Sequence, residues 1–447
     1  MKIRSILSAA LLASIVWNAA AQSAQGNESA IYTIIANPGE NASCEMRINW
    51  HTDSEKKESI CVYTKAGDTA WEKSKTAQAM PEFCTIFDSI YSKKPNGDDF
   101  YENVRFWRNA VALENLEPAT QYMYRIEAGN ETSEVHYFKT APQSGAWTAG
   151  IISDFHAYTP APQRLESAMN MLATLEKQHG GDLDFILHAG DLAAWGGSYS
   201  FWRDMYGKPY FAKYMWGGVN GNHDDMSRGF AKQTNQFFRN VNNNPVNGYP
   251  GEEGVCYHFR YGDVLFITLN NENMRQDEQL AQAQEWVKEV ITSNPAPYIV
   301  VVEHYQWFMG NDGKSSQYDR WKELFDEYGV DLAISGNNHI YARTNAIYAG
   351  KETDGTKGTV YLQTTSSDNE RGRELEEWTD NTDLIKFRWT EGSHTVSALI
   401  MNADCDKLTL TLYDRNGNVV DQFSVLSKRR AKSMTIRYAD VKFAKAG

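Results

Sequence analysis

Residues 216–224 read Trp-Gly-Gly-Val-Asn-Gly-Asn-His-Asp, and the chain can be ordered around the last four, Gly221-Asn222-His223-Asp224. Before them, Tyr210 to Val219 reads as a strand running into a tight turn. Gly, Asn and Asp are ordinary turn formers, so the quartet alone says little. Its neighbours say more. Ala149-Gly150-Ile151-Ile152-Ser153 is a buried-strand pattern that delivers Asp154-Phe155-His156. Phe185-Ile186-Leu187-His188-Ala189 delivers Gly190-Asp191. Ile299-Val300-Val301-Val302 ends in Glu303-His304, and Leu332-Ala333-Ile334-Ser335 ends in Gly336-Asn337-Asn338-His339. Five apolar strands each end in a side chain able to hold a metal or move a proton. In open α/β sheets, sites form at the carboxyl ends of strands, where loops from several strands converge.

The strands sit in a strand–helix alternation that starts at Trp147. Pro162 to His179 reads as a helix, with Leu165, Met169, Leu172 and Leu175 at helical spacing and Gly180-Gly181 ending it. Ser200 to Lys213 reads as a short aromatic loop helix, Asp277 to Thr292 as another helix, and Ser316 to Tyr328 as a third closed by Gly329. Asp263 to Leu269 reads as a buried strand. This grammar implies an α/β fold whose central sheet is covered on both faces. Late strands, including the strictly alternating Leu408-Thr409-Leu410-Thr411-Leu412-Tyr413, are expected to complete that domain, over 146–427, rather than to start a new one. Asp414 to Asn418 reads as a hairpin turn, with Asn416-Gly417 supplying positive φ.

Residues 31–142 follow a different pattern of short alternating strands, and read as an all-β sandwich. Tyr122, Tyr124 and Ile126 share one strand face, and Tyr122 is placed like the corner tyrosine of fibronectin III- or Ig-like sandwiches. Ala141-Pro142-Gln143-Ser144-Gly145 is the linker. Residues 1–21 read as a secretory signal peptide: Lys2 and Arg4 are followed by an apolar run to Trp17 and by Ala19-Ala20-Ala21, the expected cleavage point. Residues 22–30 read as a flexible leader and 428–447 as a tail. The protein is therefore expected to be secreted or periplasmic, without membrane insertion.

The 447-residue chain suits two or three domains. Loss of Lys2 and Arg4 with the signal peptide, and of no acid, moves the formal charge from −13 to −15. So acidic a chain is a poor partner for a nucleic-acid duplex or an anionic membrane. Of the five cysteines, Cys44, Cys61 and Cys84 lie in the first hundred residues, so one bridge is possible there, and the odd count leaves a thiol over. No CxxC occurs, which argues against a thiolate zinc site.

The ligand types suit a pair of cations. Asp154 and His156 leave one strand with a single residue between them. Asp191 has two oxygens and can bridge two ions about 3.5–4 Å apart, the separation useful for in-line displacement at phosphorus. Asn222 offers an amide oxygen, and His304 and His339 offer imidazole nitrogens. Mixed N/O ligation fits zinc, manganese or iron better than calcium or magnesium.

Taken in order, D-x-H, G-D, G-N-H-D, a strand-final His and G-x-x-H resemble the calcineurin-like metallophosphoesterase superfamily. The N-terminal sandwich with Gly336-Asn337-Asn338-His339-Ile340-Tyr341-Ala342-Arg343 is similar to its purple acid phosphatase branch. The resemblance implies a catalytic sandwich of two mixed sheets flanked by helices. It implies one metal on Asp154, His156, Asp191 and His339, and a second on Asp191, Asn222, His304 and the position of Asn337, with Fe, Zn or Mn as the ions. His223 would be proton donor or transition-state stabiliser, and Asp224 would orient it. The implied reaction is hydrolysis of a small phosphorylated substrate by metal-hydroxide attack.

Two departures qualify that reading. Purple acid phosphatases carry a tyrosine ligand three residues after the bridging Asp; here Ala194 stands there, so the iron–tyrosinate centre is not expected. The family pattern is also G-H-x-H, and Asn337 replaces its first His with a weaker, neutral ligand. The second site is then weakened, or fills only when substrate phosphate arrives. The alternatives are a phosphodiesterase or nucleotide pyrophosphatase on the same site, and a mononuclear or inactive binding protein. His188 is expected to pack. His51, His136, His179, His258 and His394 sit in no constellation. Trp195, Trp202, Tyr206, Trp216, Trp307 and Phe308 are candidate cleft walls, Asn271 and Glu272 candidate rim residues, and Arg343 a loop support.

Overall fold

A computed structural model describes residues 30–88, 102–225, 236–274, 276–308, 317–375, 383–404 and 406–429. The expected signal peptide, the leader before Ala30, the tail beyond Arg429 and Cys405 lie outside the described residues. No helix among the described residues is long and apolar enough to cross a membrane.

The N-terminal domain is all-β. One antiparallel sheet runs Ile31–Pro38, Met46–Thr52, Glu102–Leu113, Glu82–Asp88. The other centres on Ser59–Lys65 and Gln121–Ala128, with Lys75–Gln78, Glu131–Thr132 and His136–Lys139 at its edges. Inward residues Trp50, Ile48, Cys61, Tyr124 and Ile126 are wholly buried between the sheets. The Tyr122 hydroxyl accepts the Glu117 backbone N–H at 2.9 Å, tying the strand start to the preceding turn as a corner tyrosine does. Cys44, Cys61, Cys84 and Cys256 are free thiols, so the bridge that the spacing allowed does not form among the described residues.

The second domain stacks two mixed sheets. One runs Trp216–Gly218, Phe185–His188, Trp147–Ile152, Ser397–Ala403, Lys407–Asp414, Val419–Leu426, with the first three strands parallel. The other runs Tyr257–Tyr261, Val264–Thr268, Tyr298–Val302, Leu332–Ser335, Val360–Gln363, Tyr341–Arg343, Phe387–Trp389, with four parallel strands in its middle. Alternation sorts each strand's side chains. Ala149, Ile151, Phe185 and Leu187 meet Val300, Val302, Leu332 and Ile334 between the sheets. Ile152 and Ile186 face the helix Gln163–His179, which buries Leu165, Ala168, Leu172 and Leu175 at helical spacing. Gly180 ends that helix at φ 83°, a left-handed conformation that costs glycine little. On the far side, Val301 and Ala333 meet Val287, Trp321 and Phe325 of the helices Asp277–Ser293 and Tyr318–Tyr328.

The segment before the quartet differs from expectation. Residues 210–213 are helical, within Pro209–Lys213, and the strand is only Trp216–Gly218. Pro209 at the first turn presets helical φ, and Gly207 and Lys208 part this helix from Tyr199–Tyr206. In the late hairpin only Gly417 takes positive φ, and Asp414 caps the turn by accepting the N–H groups of Asn416 and Asn418.

The β-domain is seated on the second domain by buried polar contacts. His51 stacks on Phe106 with ring centroids 4.2 Å apart, touches the Tyr199 hydroxyl, and reaches the Asn240 carbonyl at 2.6 Å. Asn37 bonds Trp216 O and accepts from Asn243 N, while Asn243 caps Ile48 O and Val111 O.

Candidate metal centre

The carboxyl ends of the parallel strands converge, and there the backbone is bent against its preferences. Asp154, His156, Asp191, Asn337 and His339 have φ of 52°, 44°, 53°, 67° and 57°. Left-handed backbone costs a non-glycine residue about 1 kcal/mol or more, and such strain concentrates at functional sites. The glycines of the motifs permit close approach. A Cβ on Gly221 would lie 2.2 Å from Asp191 N and Oδ1, and one on Gly190 would lie 2.5 Å from His304 Nδ1.

The side chains so delivered meet. His339 Nε2 lies 3.3 Å from Asp154 Oδ1. His156 Nε2 lies 3.3 Å from Asp191 Oδ2, and His304 Nε2 lies 3.2 Å from Asp191 Oδ1. Asn222 Oδ1 is 3.1 Å from His304 Nε2. Three sets of ligand atoms, Asp154/His156/His339, His156/Asp191/His223 and Asp154/Asp191/His304, each fall within 4.8 Å. Asp191 therefore faces histidines with both oxygens, as a bridge would.

Each imidazole is turned by its other nitrogen. His156 Nδ1 is 2.9 Å from Asp154 O and 3.2 Å from Asp368 Oδ2. His304 Nδ1 is 2.7 Å from Ala189 O, and His339 Nδ1 sits on Arg371 O. A carbonyl only accepts, so in the neutral rings Nδ1 of His304 and His339 carries the proton and Nε2 offers its lone pair to the cluster. Asp154 and Asp191 are buried with no Lys or Arg paired to them among the described residues. Burial opposes a charge on His304, yet the Asp191 and Asp154 carboxylates outweigh it and raise its pKa to about 10. A field that holds a proton there would hold a cation. The donor set, the ring orientations and two buried carboxylates that draw positive charge toward them fit a metal pair.

Asn337 is brought into the cluster by its backbone, whose N–H lies 3.1 Å from Asp154 Oδ1. Its side-chain amide donates to Gln306 Oε1 at 2.5 Å. Among the described residues, no hydrogen bond falls on Asn337 Oδ1.

His223 is held at both its backbone and its ring. Its N–H donates to Asp191 Oδ1 at 2.8 Å, and its Nδ1 lies 2.8 Å from Ala194 O. Burial pushes its pKa down to about 4, with His156 and Arg371 acting the same way against the pull of Asp191. The orienting role expected for Asp224 is corrected: its carboxylate accepts Ala193 N–H and Gly221 N–H, both at 2.9 Å, and clamps the two loops together. Burial and the Asp191 charge raise the Asp224 pKa to about 7.

Three residues were missed. Asp368 and Arg371 lie in the loop after Val360–Gln363, and Gln306 lies two residues after His304. The first two follow a parallel strand end, the same signal that found the others, but no motif marks them. Of the candidate walls only Trp195 borders the cluster, with its ring 6.0 Å from His223; Trp202, Tyr206, Trp216, Trp307 and Phe308 are core. His188 packs against Trp216 and Phe238. Asn271 is a buried support rather than a rim residue, accepting the N–H groups of His304 and Tyr305 and donating to Glu303. Glu272 meets the Tyr305 hydroxyl. Arg343 pairs with Asp421 and so joins one sheet to the other.

Two family models match the chain. Residues 148–341 match Calcineurin-like phosphoesterase, and residues 32–140 match Purple acid Phosphatase, N-terminal domain. An uncharacterised protein of Mycobacterium tuberculosis is 25% identical over 373 residues, a match spanning 75% of this chain and 66% of that relative. Acid phosphatase type 7 of Danio rerio is 24% identical over 414 residues, covering 80% of this chain and 88% of the relative. The structure of a purple acid phosphatase from yellow lupin (Lupinus luteus) seeds shares the fold, with a TM-score of 0.65 at 19% identity over 89% of this chain and 74% of that one.

Proposed function

Because the chain carries a calcineurin-like phosphoesterase domain behind a purple acid phosphatase N-terminal domain, we propose that it is an exported, metal-dependent phosphoesterase acting on small phosphate esters. The observation that carries the reading is Asp191, buried between His156 and His304 with one oxygen toward each. Asp154, His156, Asp191 and His339 would hold one ion, and Asp191, Asn222, His304 and Asn337 the other. When bound, such a pair supplies Lewis-acid charge at the phosphoryl oxygens and an activated water. The chain's own part is to aim these ligands. Asp368 turns His156, the Ala189 carbonyl turns His304, and the Arg371 carbonyl turns His339. His223 would assist at the leaving oxygen from its Nε2, since Nδ1 locks the ring on Ala194.

Hydrolysis of p-nitrophenyl phosphate by metal-loaded protein, lost in Asp191→Asn and His223→Ala, tests the proposal. Turnover that survives both substitutions would sink it. Faster turnover of bis-(p-nitrophenyl) phosphate would move the reading to a diesterase. Asn337 favours one rival, a mononuclear or inactive phosphate-binding protein, which predicts a single bound ion and no turnover. Export rests on residues 1–21 and predicts a mature N-terminus at Gln22, which N-terminal sequencing decides.

A further inference from the structure

The loop after Val360–Gln363 is laid across the site by its backbone and by Ser366. Ser367 N–H donates to Ser153 O at 3.0 Å, Ser366 Oγ donates to Asp154 O at 2.8 Å, and Arg371 O accepts from His339 Nδ1. These ties place the half-buried Arg371 side chain at the cluster, with Nη2 3.3 Å from His223 Nε2. That imidazole nitrogen is the guanidinium's one hydrogen-bond partner among the described residues, and no carboxylate pairs with it there. A guanidinium presents five donors in a flat fork that fits phosphoryl oxygens, and one imidazole lone pair uses only one of them.

We infer that Arg371 is a specificity-determining residue: it takes the third non-bridging oxygen of a phosphate monoester and so favours monoesters over diesters. The inference rests on the metal-centre reading above. A metal pair held here would take up charge on the phosphoryl group, and a monoester has one more charged non-bridging oxygen to offer than a diester. A diester carries an ester oxygen and its substituent in that place, which accepts poorly and crowds the guanidinium. Arg371 also stands beside His223, so one side of the cleft reads the phosphoryl charge while the neighbouring ring serves the leaving group.

The test compares Arg371→Met and Arg371→Lys with the parent, all metal-loaded. It uses p-nitrophenyl phosphate, bis-(p-nitrophenyl) phosphate, calorimetric titration with inorganic phosphate, and metal content. Substitution leaves the backbone carbonyl on His339, so metal content is expected to hold. In Arg371→Met, monoester kcat/KM and phosphate affinity should each fall by about tenfold to a hundredfold, as loss of one charge-assisted contact implies, and diester kcat/KM should fall by less. Arg371→Lys should recover part of the loss. Parallel losses on both esters, unchanged phosphate affinity, or loss of a metal ion would overturn the inference and make Arg371 a support for the histidines. A parent that turns over neither ester would refute the phosphoesterase reading instead, and the phosphate titration would still decide Arg371.

Discussion

The Nδ1 of His223 lies 2.8 Å from the carbonyl oxygen of Ala194, while the neighbouring Asp224 carboxylate grips Ala193 N–H and Gly221 N–H. The two residues of one motif thus do separate work. Asp224→Ala should strand two buried N–H donors and lower stability by about 2–4 kcal/mol. Asp224→Asn keeps one acceptor oxygen and should cost less. Urea unfolding reads the loss, and kcat of whatever folds should drop far less than in His223→Ala. A kcat loss in Asp224→Asn equal to that in His223→Ala would return the orienting role to Asp224.

Asn337 points its amide nitrogen at Gln306. An amide whose nitrogen is engaged presents its oxygen elsewhere, and a cation needs the oxygen. Gln306→Leu should therefore weaken the second ion by about tenfold, the scale of an outer-sphere loss, and leave the first ion in place. Stepwise metal titration with a chelator competitor separates the two events. Equal affinity in parent and variant would mean that Gln306 does not set the amide.

Asp368 is buried against His156 Nδ1 at 3.2 Å. Asp368→Asn keeps the shape and removes the charge that makes the imidazole a stronger donor. Affinity for the first ion should fall by about 10–100-fold, visible by elemental analysis after dialysis at limiting metal. Undiminished retention would show that the Asp154 carbonyl alone orients the ring.

Two histidines of the β-domain are buried and neutral. Burial lowers His51 to about 3 and His136 to about 4. His51 is faced by the Tyr199 hydroxyl, the Asn240 carbonyl and Arg108, and His136 by the Tyr124 ring. In the unfolded chain both titrate near 6.5, so below that pH the unfolded state binds more protons. Stability is complete above about pH 6.5 and is lost on acidification, by about 1.4 kcal/mol per pH unit for each histidine until its folded pKa is reached. The slope of unfolding free energy between pH 6 and 4 should shrink in His136→Gln by about one proton. Parallel curves for parent and variant would contradict this.

Much of the site was legible because each of five strands ends in its own chemistry-bearing side chain within a few residues of an apolar run. Asp154, His156, Asp191, His223, His304 and His339 are local signals of this kind, and the helix Gln163–His179 was legible from apolar spacing and a closing glycine. Asp368 and Arg371 were not, because Thr364 to Glu370 reads as a plain polar loop and its ties run to Ser153 and Asp154, more than two hundred positions away. The role of Asp224 was misread because adjacency in sequence says nothing about which backbone donors a turn leaves open. Asn37 and Asn243 hold the two domains together across 206 positions and carry no pattern that spacing could expose.

The proposed metal pair requires this site to hold two ions although Asn337 stands where the family pattern has a histidine. Metal stoichiometry by elemental analysis, on protein purified without chelators and beside an Asn337→His variant, tests it most directly. Two ions per chain are expected in the parent and two, more tightly held, in the variant. One ion or none in the parent, rising to two in Asn337→His, would contradict it and put a mononuclear or binding protein in its place.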